Sequence, residues 1–237
     1  MLSIIIPTLN EEKYLPLLLN SIQSQDFRDY EVIVADAGSQ DKTRTIAESY
    51  GCRVIKGGML AVARNNGAKI ARGNYLLFLD ADTVLPEDFL TISLQEFQER
   101  DLDGASFLLT PFQASKIQLF LCQAAYNFPI KAFHRILPFG ASGFLVKKET
   151  HEKIGGFDNQ AIFLEDIEYV KRFKKRAKYG IIRKKDLFFS MRHYEENSYI
   201  IEYSKIILGY FYVLFFGPIK KDIFKYRLGV HGSNNSN

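Results

Sequence analysis

The stretch YLLFLDAD at residues 75–82 decides the fold. Five apolar residues that end in two carboxylates are typical of a buried strand that emerges at the edge of a sheet. Side chains alternate along an extended chain, so Asp80 and Asp82 point to the same side. Paired carboxylates repel each other unless a cation or a hydrogen-bonding ligand lies between them. They therefore indicate a Mg²⁺ or Mn²⁺ site; the alternative is two solvated turn residues before a helix that begins near Pro86.

Short apolar runs alternate with amphipathic stretches over the first hundred residues. The pattern predicts strands over residues 2–6, 31–35, 53–56 and 75–79, and helices over residues 12–25, 41–50, 60–71 and 86–100. Such alternation indicates an α/β fold with a mostly parallel central sheet flanked by helices. Ligands of such sheets bind outside the carboxyl ends of the strands. Polar clusters begin at three of these ends, at Thr8, Asp36 and Asp80, and we expect them to converge.

The second half is less regular. Strands are predicted over residues 104–110, 144–148, 179–183 and 187–191, and helices over residues 114–133 and 165–176. The sequence contains no internal repeat and no low-complexity linker. We therefore expect one domain over residues 1–195, a C-terminal apolar and basic helical segment over residues 196–230 that packs on the domain or at a membrane surface, and a flexible tail over residues 231–237.

The positive charge is concentrated towards the C-terminus. Residues 171–237 hold 15 Lys or Arg against 5 Asp or Glu, whereas the whole 237-residue chain carries a net charge of only +4. The apolar run from Ile206 to Ile219 has 14 residues, and a membrane-spanning helix needs roughly 20. The segment from Ile206 to Arg227 is therefore predicted to be a core helix, a homodimer interface or a peripheral membrane anchor. Its aromatic residues and basic flank favour the membrane surface over nucleic acid.

Two features predict the cellular compartment. The N-terminus has no basic region ahead of a long apolar stretch, so we expect no signal peptide. Cys52 and Cys122 show no CxxC or Cys/His spacing, which argues against a zinc site or a disulfide scaffold and fits a reducing compartment. The sequence thus predicts a cytoplasmic protein, peripheral at the inner face of the cell membrane if the C-terminal segment binds lipid.

Seven short motifs follow one another in a characteristic order. They are SIIIPTLNE at residues 3–11, VADAGSQDKT at 34–43, ARNNGA at 63–68, DADT at 80–83, GASGFLV at 140–146, GGFD at 155–158 and ED at 165–166. In this order and spacing the chain resembles the inverting glycosyltransferases of family 2, which have the GT-A-type nucleotide-sugar-binding fold. The resemblance extends from residue 2 to about residue 193.

The resemblance implies a binding site for the donor nucleotide. Its implied residues are Pro7, Thr8, Glu11, Asp36, Arg64 and Asp80. Asp36 would accept a hydrogen bond from a uracil-type base, although capping of the following turn also explains an aspartate there. Arg64 suits a diphosphate, and a surface ion pair is its alternative role. The loop of Gly140, Ala141, Ser142 and Gly143 would let the backbone approach the donor sugar.

The resemblance also implies a metal and a catalytic base. Asp82 would be the more direct ligand of Mn²⁺ or Mg²⁺, with Asp80 beside it and His193 as a third ligand. Asp166 would deprotonate the acceptor hydroxyl and Glu165 would assist in positioning. The alternative for the last pair is a helix N-terminus, which favours acidic residues without any chemistry.

The predicted function is transfer of a sugar from a nucleotide diphosphate donor, with a UDP-sugar favoured, to a glycan or lipid-linked acceptor. Alternatives are a polyprenyl-phosphate glycosyltransferase and a non-catalytic nucleotide-sugar-binding protein. A sugar-1-phosphate nucleotidyltransferase is disfavoured, because the loop from Pro7 to Glu11 has neither the glycines nor the basic residues that such enzymes carry after the first strand.

Overall fold

A computed structural model of the chain describes residues 1–140, 142–190 and 199–221, and its strands and helices alternate through the first half as predicted. The strands are β1 (Leu2–Thr8), β2 (Tyr30–Asp36), β3 (Arg53–Lys56), β4 (Tyr75–Leu79), β5 (Thr83–Val84), β6 (Gly104–Pro111), β7 (Gly143–Lys147) and β8 (Tyr179–Phe189). The helices are α1 (Leu15–Gln23), α2 (Thr43–Ser49), α3 (Leu60–Ile70), α4 (Phe89–Glu99), α5 (Lys116–Cys122), α6 (Phe128–Phe133), α7 (Lys148–Lys153), α8 (Glu165–Phe173) and α9 (Tyr199–Phe216). A π-helical turn, Gln123–Asn127, joins α5 to α6.

The strands form one mixed sheet in the order β3-β2-β1-β4-β7-β6-β8-β5. The pairs β3–β2, β2–β1, β1–β4 and β6–β8 are parallel, while β7 runs antiparallel to β4 and β6, and β5 runs antiparallel to β8. The predicted α/β class with a mostly parallel sheet is therefore confirmed.

Side chains alternate between two cores, one on each face of the sheet. Along β1, Ile4 and Ile6 join the core that helices α1 and α4 cover, whereas Ile5 faces α3 on the other side. Along β4, Leu77 and Phe78 divide in the same way. Because both faces of β1 and β4 are buried, these strands have largely continuous apolar sequences.

The prediction of two separate strands over residues 179–183 and 187–191 was wrong, because β8 is a single strand of 11 residues. The polar residues in its middle, between Ile182 and Leu187, lie at a register shift between Phe107 and Leu109 of β6. There the buried carboxylate of Glu96 on α4 accepts hydrogen bonds from the backbone N–H groups of Arg183 and Lys184, at 2.9–3.1 Å. Hydrogen bonds to a helix side chain thus replace hydrogen bonds between strands at this point. A prediction from the local sequence pattern assumes the bonds between strands.

Helix α9 packs on the segment that leads into α8. Phe163, Ile167, Val213 and Ile219 form a small apolar cluster between them. Short elements β5 and α7 had no distinct apolar pattern and were not predicted. In the described residues no helix is both long enough and apolar enough to cross a membrane.

A glycine fixes the approach of α3 to the central strand. A Cβ atom at Gly67 would lie 2.4 Å from Cγ2 of Ile5, which is fully buried in β1. We predict that Gly67→Ala destabilises the protein by about 1–3 kcal/mol through overpacking, although alanine has the higher helix propensity by about 1 kcal/mol. Urea unfolding of the variant and the wild type measures the difference.

A double-mutant cycle with Ile5→Ala provides the control for this prediction. Removal of the Ile5 side chain opens the space that the new methyl group needs, so the two substitutions together should destabilise less than the sum of the single effects. A Gly67→Ala variant as stable as the wild type would contradict the packing argument.

Candidate active site

The candidate site lies at the carboxyl edge of the parallel strands. β1 ends at Thr8 and β2 at Asp36, which are partners in register, and β4, beside β1, ends one residue before Asp80. Strand β7 begins with Gly143 next to the end of β4, so Ser142, directly before it, lies at the same edge. The polar clusters that were expected to converge do so.

Asp36 organises the loop that follows β2. Its side chain is fully buried, with Arg44 at 3.6 Å. Its Oδ1 atom accepts from the hydroxyl groups of Thr8 and Ser39, at 3.2 and 2.5 Å, and Oδ2 accepts from the backbone N–H groups of Gly38 and Ser39, at 3.1 Å each. A carboxylate offers about four acceptor positions, and the four bonds fill them. Capping of the turn, which the sequence left open as an alternative, is therefore present in the structure.

The loop after β1 is tied to the loop after β2 by side chains that sequence reasoning missed. The backbone N–H of Glu11 donates to Oγ1 of Thr43 at 2.7 Å, and the N–H of Gln40 donates to Oδ1 of Asn10 at 2.8 Å. Asp41 accepts from both the N–H and the hydroxyl of Thr43. The sequence carried a signal for these hydrogen bonds, since short polar side chains such as Asn, Asp and Thr favour turns and helix starts.

The remaining predicted donor residues are covered by protein. Pro7 lies within β1 as the partner of Ala35, and Glu11 is 8% exposed. Gly143 is also part of the core: a Cβ atom there would lie 2.8 Å from Leu187. Core packing is thus sufficient to explain this glycine, whereas the backbone carbonyl of Ser142 reaches the site itself and accepts from the N–H of Asp80 at 3.1 Å.

Arg64 on α3 joins two of the predicted acidic residues. It is 3% exposed, and its guanidinium donates to Oδ1 of Asp80 at 2.8 Å and to Oε1 of Glu165 at 2.5 Å. The same group lies 5.3 Å from the centre of the Phe157 ring. The structure therefore places Arg64 in a buried ion-pair network, not in a surface pair.

At the start of α8, the side chain of Asp166 packs against Gly140. A Cβ atom at Gly140 would lie 1.8 Å from its Oδ2 atom, so the carboxylate occupies the space that any other residue at position 140 would fill. The carbonyl of Gly140 accepts a hydrogen bond from the hydroxyl of Tyr126 at 2.9 Å. Leu164, which precedes the acidic pair, has φ 53°, a left-handed backbone conformation that bulky residues rarely adopt.

The electrostatics of this cluster raise the pKa of two carboxyl groups. Burial, followed by the negative charge of Glu165, raises the pKa of Asp166 to about 7. Burial also raises the pKa of Asp80 to about 6; Arg64 acts against this rise, and the charges of Asp82 and Glu165 add to it. A carboxyl group that titrates near neutral pH is suited to accept a proton during a reaction.

Asp82 lies beside a cavity of about 240 Å³ at the same edge, lined by Tyr14, Phe112 and Ser190 among others. Its backbone carbonyl accepts from the N–H of Ser190 at 3.0 Å, which ties it to the end of β8. Two predicted site residues, Ala141 and the proposed third metal ligand His193, lie outside the described residues.

The described acidic residues fit a divalent cation that is shared with a ligand. Residues 1–140, 142–190 and 199–221 contain no group of three His, Cys, Asp or Glu side chains arranged to hold a metal ion. Mg²⁺, however, is commonly held by one or two carboxylates together with substrate phosphates. Asp80 and Asp82 supply that number of carboxylates. The pKa of Asp80 is raised mainly by burial, and the negative charge of Asp82 adds to the rise; a cation would offset that charge.

Comparisons with known proteins identify the family of the chain. A model of glycosyl transferase family 2 matches residues 3–156. The glycosyltransferase GlyG of Streptococcus pneumoniae is 31% identical over 112 residues, which are 44% of this chain and 37% of GlyG. An uncharacterized glycosyltransferase of Haemophilus influenzae is 28% identical over 181 residues, 72% of this chain and 60% of that protein. The chain thus spans less than two thirds of these curated relatives.

Solved structures share the fold. Staphylococcus aureus TarS 1-349 in complex with UDP-GlcNAc superposes with a TM-score of 0.68 at 21% identity, covering 89% of this chain and 66% of that one. The mannosyltransferase PcManGT from Pyrobaculum calidifontis, in complex with GDP-Man and Mn²⁺, gives 0.71 at 16% identity, covering 94% and 66%. Since the family model covers well over half of the 237 residues and the GT-A-type fold is shared, the chain belongs to glycosyl transferase family 2.

Proposed function

We propose that this chain transfers a sugar from a nucleotide diphosphate donor to an acceptor hydroxyl with inversion, in glycan or glycolipid assembly. The observation that carries the proposal is the carboxylate of Asp166, seated against Gly140 beside the network of Glu165, Arg64 and Asp80. Family membership supports the reaction class. A UDP-sugar is the favoured donor because the similar TarS structure contains UDP-GlcNAc.

In the proposed reaction Asp166 accepts the proton of the acceptor hydroxyl. The oxygen attacks the anomeric carbon from the face opposite the leaving group, one glycosidic bond forms, and the bond to the nucleoside diphosphate breaks. The bonding electrons leave with the diphosphate, and the configuration inverts in a single displacement. Arg64 holds Asp80 and Glu165 in place through ion pairs of 2.8 and 2.5 Å.

A divalent cation fits the proposal, with Asp82 and Asp80 as its protein ligands. When bound, Mn²⁺ or Mg²⁺ would neutralise the charge that develops on the diphosphate as a Lewis acid. The Mn²⁺ in the PcManGT structure supports this assignment for a protein of the same fold.

A thermal-shift screen of nucleotide sugars tests the proposed donor site. UDP-sugars and GDP-sugars are added with MnCl₂, and a donor at roughly a hundred times its dissociation constant should stabilise the protein by about 2.7 kcal/mol. Formation of free UDP or GDP in the presence of an acceptor then separates an enzyme from a non-catalytic nucleotide-sugar-binding protein. No response to any nucleotide sugar would contradict the proposal.

We predict that Asp166→Asn lowers kcat by about 10²–10⁴-fold, the range for loss of a general base. In the wild type, kcat should fall as the pH is lowered through about 7, because protonation of Asp166 removes the proton acceptor. The variant should lack this acidic limb while its donor dissociation constant stays unchanged. Initial rates from pH 5 to 9 measure both effects; wild-type rates in the variant would refute the assignment.

Gly140→Ala tests whether the position of the Asp166 carboxylate matters for catalysis. The added methyl group would overlap Oδ2 of Asp166, so the carboxylate must move, and we expect kcat to fall by roughly 10²-fold with little change in donor binding. The matched control is the same substitution in the Asp166→Asn background. There it should have almost no further effect on the residual rate, since the group it displaces has already lost its function.

Removal of the cation gives a separate prediction. EDTA should abolish the stabilisation that UDP with MnCl₂ provides in the thermal-shift assay. Asp82→Asn should weaken that metal-dependent increment without lowering the melting temperature of the ligand-free protein, because the substitution relieves charge repulsion with Asp80. Equal stabilisation by UDP in MnCl₂ and in EDTA would argue against a metal bound at these carboxylates.

A polyprenyl-phosphate acceptor is the second candidate. The exposed apolar side chains of α9, such as Phe211 and Phe215 at 53% and 76%, favour an acceptor that carries a lipid. A comparison of transfer to a short-chain polyprenyl phosphate with transfer to a soluble glycan separates the two.

A further inference from the structure

Exposed apolar side chains are concentrated on two helical elements. Sixteen large apolar side chains are exposed in the described residues; seven lie between residues 117 and 136, and six lie on α9. Ile117, Phe120 and Ile136 are 71%, 70% and 79% exposed, and Phe215 and Phe216 are 76% and 78% exposed. Isolated exposed apolar residues are ordinary, but contiguous ones mark an interaction site. We name these regions the α5–α6 surface (residues 116–136) and the α9 surface (residues 204–216).

The charged side chains within both surfaces are basic. Residues 104–148 contain no Asp or Glu, while Lys116, Lys131 and Arg135 are exposed on the α5–α6 surface. Residues 203–221 also lack Asp and Glu and end with the exposed pair Lys220 and Lys221. A second copy of the chain would bring like charges together, which opposes association. Anionic lipid headgroups, in contrast, complement an apolar face with a basic rim.

Helix α8 holds the two surfaces side by side. The ammonium group of Lys174 donates to the carbonyls of His134 and Leu137, at 2.7 and 2.9 Å. The ammonium group of Lys171 donates to two carbonyls in the last turn of α9, at 2.8 and 2.7 Å. Lys171 lies in the last turn of α8, and Lys174 directly follows the helix with a helical backbone conformation, so the two side chains, three residues apart, lie on the same side. Both surfaces are therefore anchored to one side of the helix that begins with the acidic pair.

The α9 surface also contacts the residues that flank the proposed base. The Tyr210 ring stacks on Phe139 with centroids 6.1 Å apart, and Phe139 precedes Gly140. A Cβ atom at Gly209 would lie 2.8 Å from Leu164, the residue with left-handed backbone before Glu165. The α5–α6 surface also contacts this region. The hydroxyl of Tyr126, in the turn between α5 and α6, donates a hydrogen bond to the carbonyl of Gly140.

We propose that the α5–α6 and α9 surfaces together form a docking face for an anionic lipid bilayer. Their apolar side chains enter the interface between headgroups and acyl chains, and the lysines and arginine bind the headgroups. Because both surfaces contact the residues next to Asp166, docking brings the proposed base to the membrane, where an acceptor carried by a lipid is presented. This last step rests on the proposed function; the docking itself does not.

Vesicle co-sedimentation of the full chain tests the proposal. The protein should sediment with vesicles of phosphatidylcholine and phosphatidylglycerol, and less with phosphatidylcholine alone or in high salt. Phe120→Ser combined with Phe215→Ser should lower the partition coefficient by roughly tenfold or more. Lys131→Gln with Arg135→Gln should lower the preference for phosphatidylglycerol by roughly fivefold for each charge. Met59→Ser, at a residue 40% exposed elsewhere on the protein, is the matched control and should bind as the wild type does.

Three results would overturn the docking face. They are no sedimentation with anionic vesicles, equal sedimentation of the Phe120→Ser/Phe215→Ser variant, and a dimer in sedimentation velocity that this variant dissociates, since a second copy would then cover the surface. Circular dichroism establishes that each variant is folded. Donor binding is measured on the same preparations without vesicles. Vesicle binding without donor binding would refute only the proposed function, and donor binding without vesicle binding would refute only the docking face.

Discussion

The buried guanidinium of Arg64 is the interaction on which the rest of the site depends. It joins α3 to the end of β4 through Asp80 and to the start of α8 through Glu165, which is 101 residues further along the chain. Removal of one member of a buried ion pair leaves an uncompensated charge and typically destabilises by about 3–5 kcal/mol. Lysine would not be equivalent, because a single ammonium group cannot reproduce the planar fork that reaches both carboxylates. The charge of Arg64 interacts with Glu165, Asp80 and Asp166, and Asp82 adds a further negative charge beside Asp80, so acidic groups outnumber the single cation.

Two backbone features also fix the position of the acidic side chains. Gly140 leaves room for the carboxylate of Asp166, and the left-handed conformation of Leu164 sets the direction in which α8 starts. Both positions are supported from outside the central sheet, Gly140 by Tyr126 and Leu164 by the close approach of Gly209. The peripheral helices are thus part of the mechanical support of the acidic cluster.

Local patterns were sufficient for much of the fold and for the convergence of polar residues at one edge of the sheet. The junction of Leu79 and Asp80 indicated a strand end with ligands, because burial and polarity change there within one residue. In contrast, β8 was divided in two because its polar middle is satisfied by Glu96, a partner 87 residues away, and no local pattern records such a bond. The contact of Gly140 with Asp166 and the ion pair of Arg64 with Glu165 are equally non-local. Residue types could suggest those roles, but only the folded chain brings the partners together.

The four hydrogen bonds that fill the carboxylate of Asp36 limit what any further ligand could gain there. A donor group of a ligand would have to replace a donor that the chain already supplies. The net gain in binding free energy is then only the difference between two similar hydrogen bonds. The hydroxyl groups of Thr8 and Ser39 can rotate away, whereas the backbone donors of Gly38 and Ser39 are fixed by the turn. This carboxylate can therefore distinguish only weakly between ligands that carry such a donor. In return, the loop is already ordered before any ligand binds. Binding therefore does not carry the conformational-entropy cost of ordering this loop.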